Sequence, residues 1–99
     1  MVEYLYNCIR ATAGDKVEIS AIIETDAGEP ITEHCHIMLF DKDNLTLLST
    51  IDGQYVEETG LWQFALPAEL TAGKLGRYWY RICAREGSLC FKQPIYFCV

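Results

Sequence analysis

The chain has 99 residues, 51% of them hydrophobic and 22% charged, and a formal charge of -6 at neutral pH. That length fits one domain over 1–99 and leaves no room for a second core, and the composition is neither that of a disordered tail nor that of a repeat array. The acidic balance makes nucleic acid a poor partner.

At the N-terminus, MVEYLYNCIR has no basic leader followed by a long apolar run, so neither a secretory signal nor a membrane span is expected and the protein is expected in the cytoplasm. YLYNCIRA (4–11) is rich in aromatic and apolar residues and reads as a strand that TAGD (12–15) ends. KVEISAIIET (16–25) alternates, with Val17, Ile19, Ala21 and Ile23 on one face, Lys16, Glu18, Ser20 and Glu24 on the other, and Ile22 as the exception. DAGEP (26–30) is a turn, HCHIMLFD (34–41) the next strand, and KDN (42–44) closes a hairpin into LTLLSTI (45–51).

After Asp52 and Gly53, QYVEETG reads as a polar stretch with a short edge strand, and LWQFALP (61–67) as a strand whose core face is Trp62, Phe64 and Leu66. PAELTAG (67–73) begins with proline and ends with glycine, which predicts one helical turn. RYWYRICAR (77–85) and SLCFKQPIYF (88–97) finish the chain as a hairpin about Glu86 and Gly87. About seven short strands at steady intervals predict an all-β, antiparallel β-sandwich, with a small barrel as the alternative that periodicity leaves open.

A two-residue loop at Glu86 and Gly87 sets the register of that hairpin. Cys83 then faces Cys90, and Arg81 faces Lys92. Tyr78, Tyr80, Ile82 and Ala84 share an apolar side with Leu89 and Phe91, while Arg77, Trp79, Arg81, Cys83 and Arg85 lie on the other with Cys90 and Lys92.

Residues 1–73 carry three cations against thirteen acids, a balance of -10, and residues 74–99 carry five cations against Glu86, a balance of +4. Opposite signs on separate parts of one small domain permit head-to-tail association of identical subunits. Arg77, Trp79, Arg81, Arg85 and Lys92 are the candidate interface, since tryptophan and arginine dominate binding hot spots and an arginine can lie over an indole. The competing reading is internal packing, with Trp79 covered by another part of the chain.

Five cysteines match no CxxC spacing and read as free structural thiols; a Cys83–Cys90 bridge is disfavoured because that pair is of the wider, hydrogen-bonded type. His34 and His36 would project together from one strand face, with Met38 and Phe40 extending it, a spacing some metal sites use. Two histidines are half a ligand set, so no metal and no cofactor is expected. No GxSxG elbow, glycine-rich phosphate loop or HExxH occurs, and no catalysis is expected.

AGDKVEISAIIETDAGEPI resembles the opening of phage and bacterial immunoglobulin-like domains, where a GD-initiated strand leads to a D-x-x-G-x-P turn. GLWQFALPAELTAGKLGRYWYRI is similar to a stretch of phage tail and baseplate proteins in which a strand ends in proline and a G-x-Y-W-Y strand returns, as in the N-terminal domain of the upper baseplate protein. Over about residues 13–97 the resemblance implies an Ig-like sandwich in a host cell or virion that docks to other phage structural proteins or to itself, with no catalysis. The five cysteines and HCH depart from that pattern. The alternative is a stand-alone Ig-like module that binds a small or saccharide ligand through Trp79 and its arginines.

Overall fold

The computed structural model describes residues 2–5, 8–25, 27–84 and 92–98. Among them nine strands follow in order: β1 (Val2–Leu5), β2 (Cys8–Thr12), β3 (Val17–Ala21), β4 (Cys35–Phe40), β5 (Leu47–Asp52), β6 (Gln54–Val56), β7 (Leu61–Leu66), β8 (Gly76–Ala84) and β9 (Lys92–Cys98). The single helical turn, α1 (Ala68–Thr71), falls where the PAELTAG stretch places it, with Pro67 one position earlier than expected, at the N-cap. No helix of the described residues is long and apolar enough to cross a membrane.

The strands form two sheets, β1-β2-β9-β8-β4-β5 and β3-β7-β6, packed over one core cluster. This is a sandwich, and the barrel alternative falls. With β3-β7-β6 in the B-E-D positions and β9-β8-β4 in the G-F-C positions, the grouping is that of an Ig-like sandwich, and β5 is the strand added beside C.

Two expectations need correction. The chain has more strands than seven, because YLYNCIRA is two strands: β1 and β2 pair antiparallel from Val2↔Ala11 to Leu5↔Cys8. Nor is the sheet wholly antiparallel, since β2 runs parallel to β9 from Ile9↔Ile95 to Thr12↔Cys98. A parallel pair joins strands that are distant in sequence, and local alternation carries no trace of it.

Strict alternation builds the core. Val17 and Ile19 from β3 meet Trp62, Phe64 and Leu66 from β7, as the even-numbered pattern predicts, and all five are buried. Each such side chain contributes roughly 1.5–3 kcal/mol by leaving water. The Trp62 Nε1–H has its acceptor, the Ile31 carbonyl at 2.6 Å. Ile22, which broke the alternation, lies beyond the end of β3 and is 69% exposed. The opposing sheet supplies Ile37 and Leu39 from β4, Tyr80 from β8, and Ile95 and Phe97 from β9.

Because inward and outward residues alternate, burying these side chains fixes what the other side of the six-stranded sheet displays.

Candidate functional site: the outer face of the six-stranded sheet

β8 is the strand about which this face is built. Tyr80 and Ala84 belong to the core, with Tyr78 and Ile82 packed against it, so Arg77, Trp79, Arg81 and Cys83 turn outward as the alternation predicts. The β8–β9 register pairs Arg81 with Lys92, Trp79 with Pro94 and Arg77 with Tyr96, which is the register a two-residue loop requires. Arg85, the Glu86–Gly87 loop, Leu89, Cys90 and Phe91 lie outside the described residues, and so does the expected Cys83–Cys90 opposition.

On the other flank β4 sets Phe40 opposite Trp79, Met38 opposite Arg81 and His36 opposite Cys83. Trp79 is half-buried between Phe40 and Pro94, with the Arg77 guanidinium carbon 5.1 Å from the centre of its ring. Arg81 lies 5.8 Å above the Phe40 ring and shields it, leaving Phe40 only 7% exposed on an outward position. Two arginine–aromatic stacks therefore stand side by side, with Tyr96 36% exposed next to them. The Arg81 Nε is buried and has no acceptor among the described residues.

Four acids lie elsewhere. Glu18 points outward from β3, where it pairs with Lys16 at 3.1 Å, and Glu57, Glu58 and Glu69 are exposed in the turn after β6 and on α1. These four acids lie away from the β8 face. Asp52 on β5 and Glu3 on β1, opposite Arg10, lie at the margins of the basic face.

The two histidines do not project together. His34 precedes β4 in a left-handed backbone conformation, φ 61°, and lies 3.8 Å from Glu33, whereas His36 is on the outer face of β4. The strand starts at Cys35, so the i, i+2 geometry never forms. Instead His36 stands in register between Asp52 of β5 and Cys83 of β8, a row that no local sequence pattern signals. Among the described residues no three His, Cys, Asp or Glu side chains are placed to hold a metal ion.

Cys8, Cys35, Cys83 and Cys98 are free thiols. Burial, with a smaller contribution from Cys83, pushes the Cys35 thiol up from its ordinary value. Burial, then the charge of Cys8, does the same to Tyr80, whose hydroxyl donates to Gln93 Oε1 at 2.8 Å. Both groups lie on the inner side of the sheet, where burial disfavours their ionised forms.

Sequence reasoning turned Arg77, Trp79 and Arg81 outward, as the strand alternation has them, but did not bring Met38, Phe40, Pro94 and Tyr96 beside them. For Tyr96 the signal was present, because it alternates with Ile95 and Phe97; the β4 residues depend on a pairing between distant segments. Comparison with protein-family models, with curated proteins and with solved structures gives no match.

Proposed function

We infer that the protein is a non-enzymatic assembly protein whose β9-β8-β4 face docks on an acidic protein surface, in the class of prophage-encoded tail or baseplate components. The observation that carries this reading is the pair of arginine–aromatic stacks, Arg77 on Trp79 and Arg81 on Phe40, side by side on the outer face of one sheet. Half-buried Trp79 under the Arg77 guanidinium offers apolar area and charge together, the combination that dominates binding hot spots. The phage class rests on the resemblance of the GD-initiated strand and the G-x-Y-W-Y strand. The ordered sheet beneath makes the platform rigid, so little conformational entropy is lost on docking.

The test is co-purification with the structural proteins encoded beside its gene. Coelution on size exclusion at low salt is expected, with loss in Trp79→Ala and in the Arg77→Glu, Arg81→Glu double variant, each shown by circular dichroism to remain folded. Tail, capsid or portal genes as neighbours support the class, and a metabolic operon overturns it. Variants that keep coeluting overturn the face.

A further inference from the structure

β5 ends the six-stranded sheet on the side away from β1, so one row of its main-chain groups meets no strand among the described residues. Which groups these are follows from one hydrogen bond. The Gly53 N–H donates to the Cys35 carbonyl at 2.9 Å, and antiparallel pairs alternate, so Ile51 with Ile37 and Ser49 with Leu39 are the hydrogen-bonded pairs. Thr50, opposite Met38, and Asp52, opposite His36, therefore turn their N–H and C=O groups to the open edge.

Proteins protect such edges with lysine, proline, short length or inward charge. The other three sheet edges have such protection: β1 is four residues long and carries Glu3, β6 is three residues long, and β3 carries Glu18. β5 has six residues, LLSTID, with no lysine or proline and a charge only at its last position. Its bulge falls at Leu48, the extra residue between Leu47 and Ser49, and leaves the pairing from Ser49 to Asp52 regular. Around that end Leu45 is 80%, Leu47 50% and Leu48 39% exposed.

We propose that the β5 edge pairs with the β5 edge of a second copy of this chain, antiparallel about a two-fold axis midway between the two Thr50 residues. The strand is self-complementary in that arrangement. Thr50 meets its own counterpart as a hydrogen-bonded pair, Leu48 meets Asp52 of the other copy, and no two like charges face each other. A two-fold axis normal to the sheet keeps both outer faces on one side. Two six-stranded sheets become one of twelve, and the Trp79 platforms of both copies point the same way.

The edge carries Asp41, Lys42, Asp43 and Asp52 on each copy, a net negative charge, so salt tightens this contact. It loosens a basic face docked on acids. The two readings therefore fail separately. Light scattering over a concentration series at low and high salt should show a monomer–dimer equilibrium that strengthens with salt. Thr50→Pro removes the N–H that faces the edge, and Leu48→Lys adds an edge charge; each weakens self-association by about tenfold or more. Leu48→Lys keeps the test decisive if Thr50→Pro fails to fold. Trp79→Ala leaves the dimer intact. A strict monomer at every concentration, including one that instead binds an extended segment of another protein, overturns the proposal, as does a folded Leu48→Lys variant that dimerises like the parent.

Discussion

The Arg77 guanidinium lies over the indole of Trp79 at 5.1 Å, on the outward side of β8, one strand position from Tyr78 whose ring packs edge-on against Phe97 at 5.6 Å in the interior. One strand thus carries an aromatic row on each side, for different reasons. The inner row is held by burial and is explained by folding. The outer row is held by an arginine and remains partly open to solvent, which is why Trp79 is the residue that can report on docking.

Collisional quenching of fluorescence should therefore resolve two tryptophans. Trp62 is 4% exposed and hydrogen-bonded to Ile31, so it resists acrylamide, whereas Trp79 is quenched. Removing the cover with Arg77→Ala raises the quenching of Trp79 and costs about 0.5–1 kcal/mol of stability, the size of an exposed cation–π contact. A single protected population in the parent would place Trp79 in the interior and end its role as a surface.

Arg81 makes the opposite prediction for stability. Its Nε is buried without an acceptor among the described residues, while its stem covers Phe40. Methionine retains most of the apolar stem and removes the unsatisfied donor, whose burial costs about 1–3 kcal/mol. Arg81→Met should unfold at a urea concentration equal to or above that of the parent, yet lose docking. A variant that is both less stable and still competent would show that the arginine serves the fold.

The strands whose alternation is strict, β3 and β7, were legible from residue order alone, because one buried face forces a period of two. The β8–β9 register was legible too, since Arg81 opposite Lys92 is the pairing that a two-residue turn at Glu86 and Gly87 predicts. What could not be read was set by contacts between distant segments: the parallel β2–β9 pair, and the β4–β8 pair that brings Phe40 and Met38 beside Trp79 and Arg81. His34 was misplaced for a local reason. HCH reads as a strand by spacing, but the backbone turns left-handed at His34 before the ladder begins.

Gly53 is where the chain leaves β5 for β6 and so passes from one sheet to the other. A Cβ there would overlap the ring of Phe64, which is completely buried and has no room to swing away. Gly53→Ala should cost about 1–3 kcal/mol by overpacking, read as a lower urea midpoint. The paired variant Gly53→Ala, Phe64→Leu should recover part of the loss relative to Phe64→Leu alone. Equal losses in both backgrounds would refute the contact.

Thr71 ties α1 to the turn between β2 and β3. It is fully buried, its hydroxyl donates to the Asp15 carbonyl at 2.7 Å, and its oxygen accepts the Gly14 N–H at 3.1 Å. Valine matches its shape but removes both hydrogen bonds, so Thr71→Val should destabilise by roughly 1–3 kcal/mol and speed amide exchange at Gly14. Thr71→Ser keeps the hydroxyl and should recover the protection of that amide.

The turn into β5 carries the clearest pH dependence. Asp43 Oδ2 accepts the Thr46 hydroxyl at 2.6 Å and Oδ1 accepts the Thr46 and Leu45 N–H groups, each at 2.9 Å. These bonds, the Thr46 hydroxyl first, hold its carboxyl down to about 2, below the ordinary 3.8. A carboxyl depressed by folding stabilises the native state above its unfolded value and loses that stabilisation as pH falls through its folded one. The contribution is therefore full at neutral pH and disappears between about pH 4 and pH 2. Asp43→Ala should unfold at lower urea than the parent at neutral pH, with the gap closing across that window, since protonation removes from the parent what the substitution removed already. A gap constant from neutral pH to pH 2 would show that the turn does not depend on the ionised carboxylate.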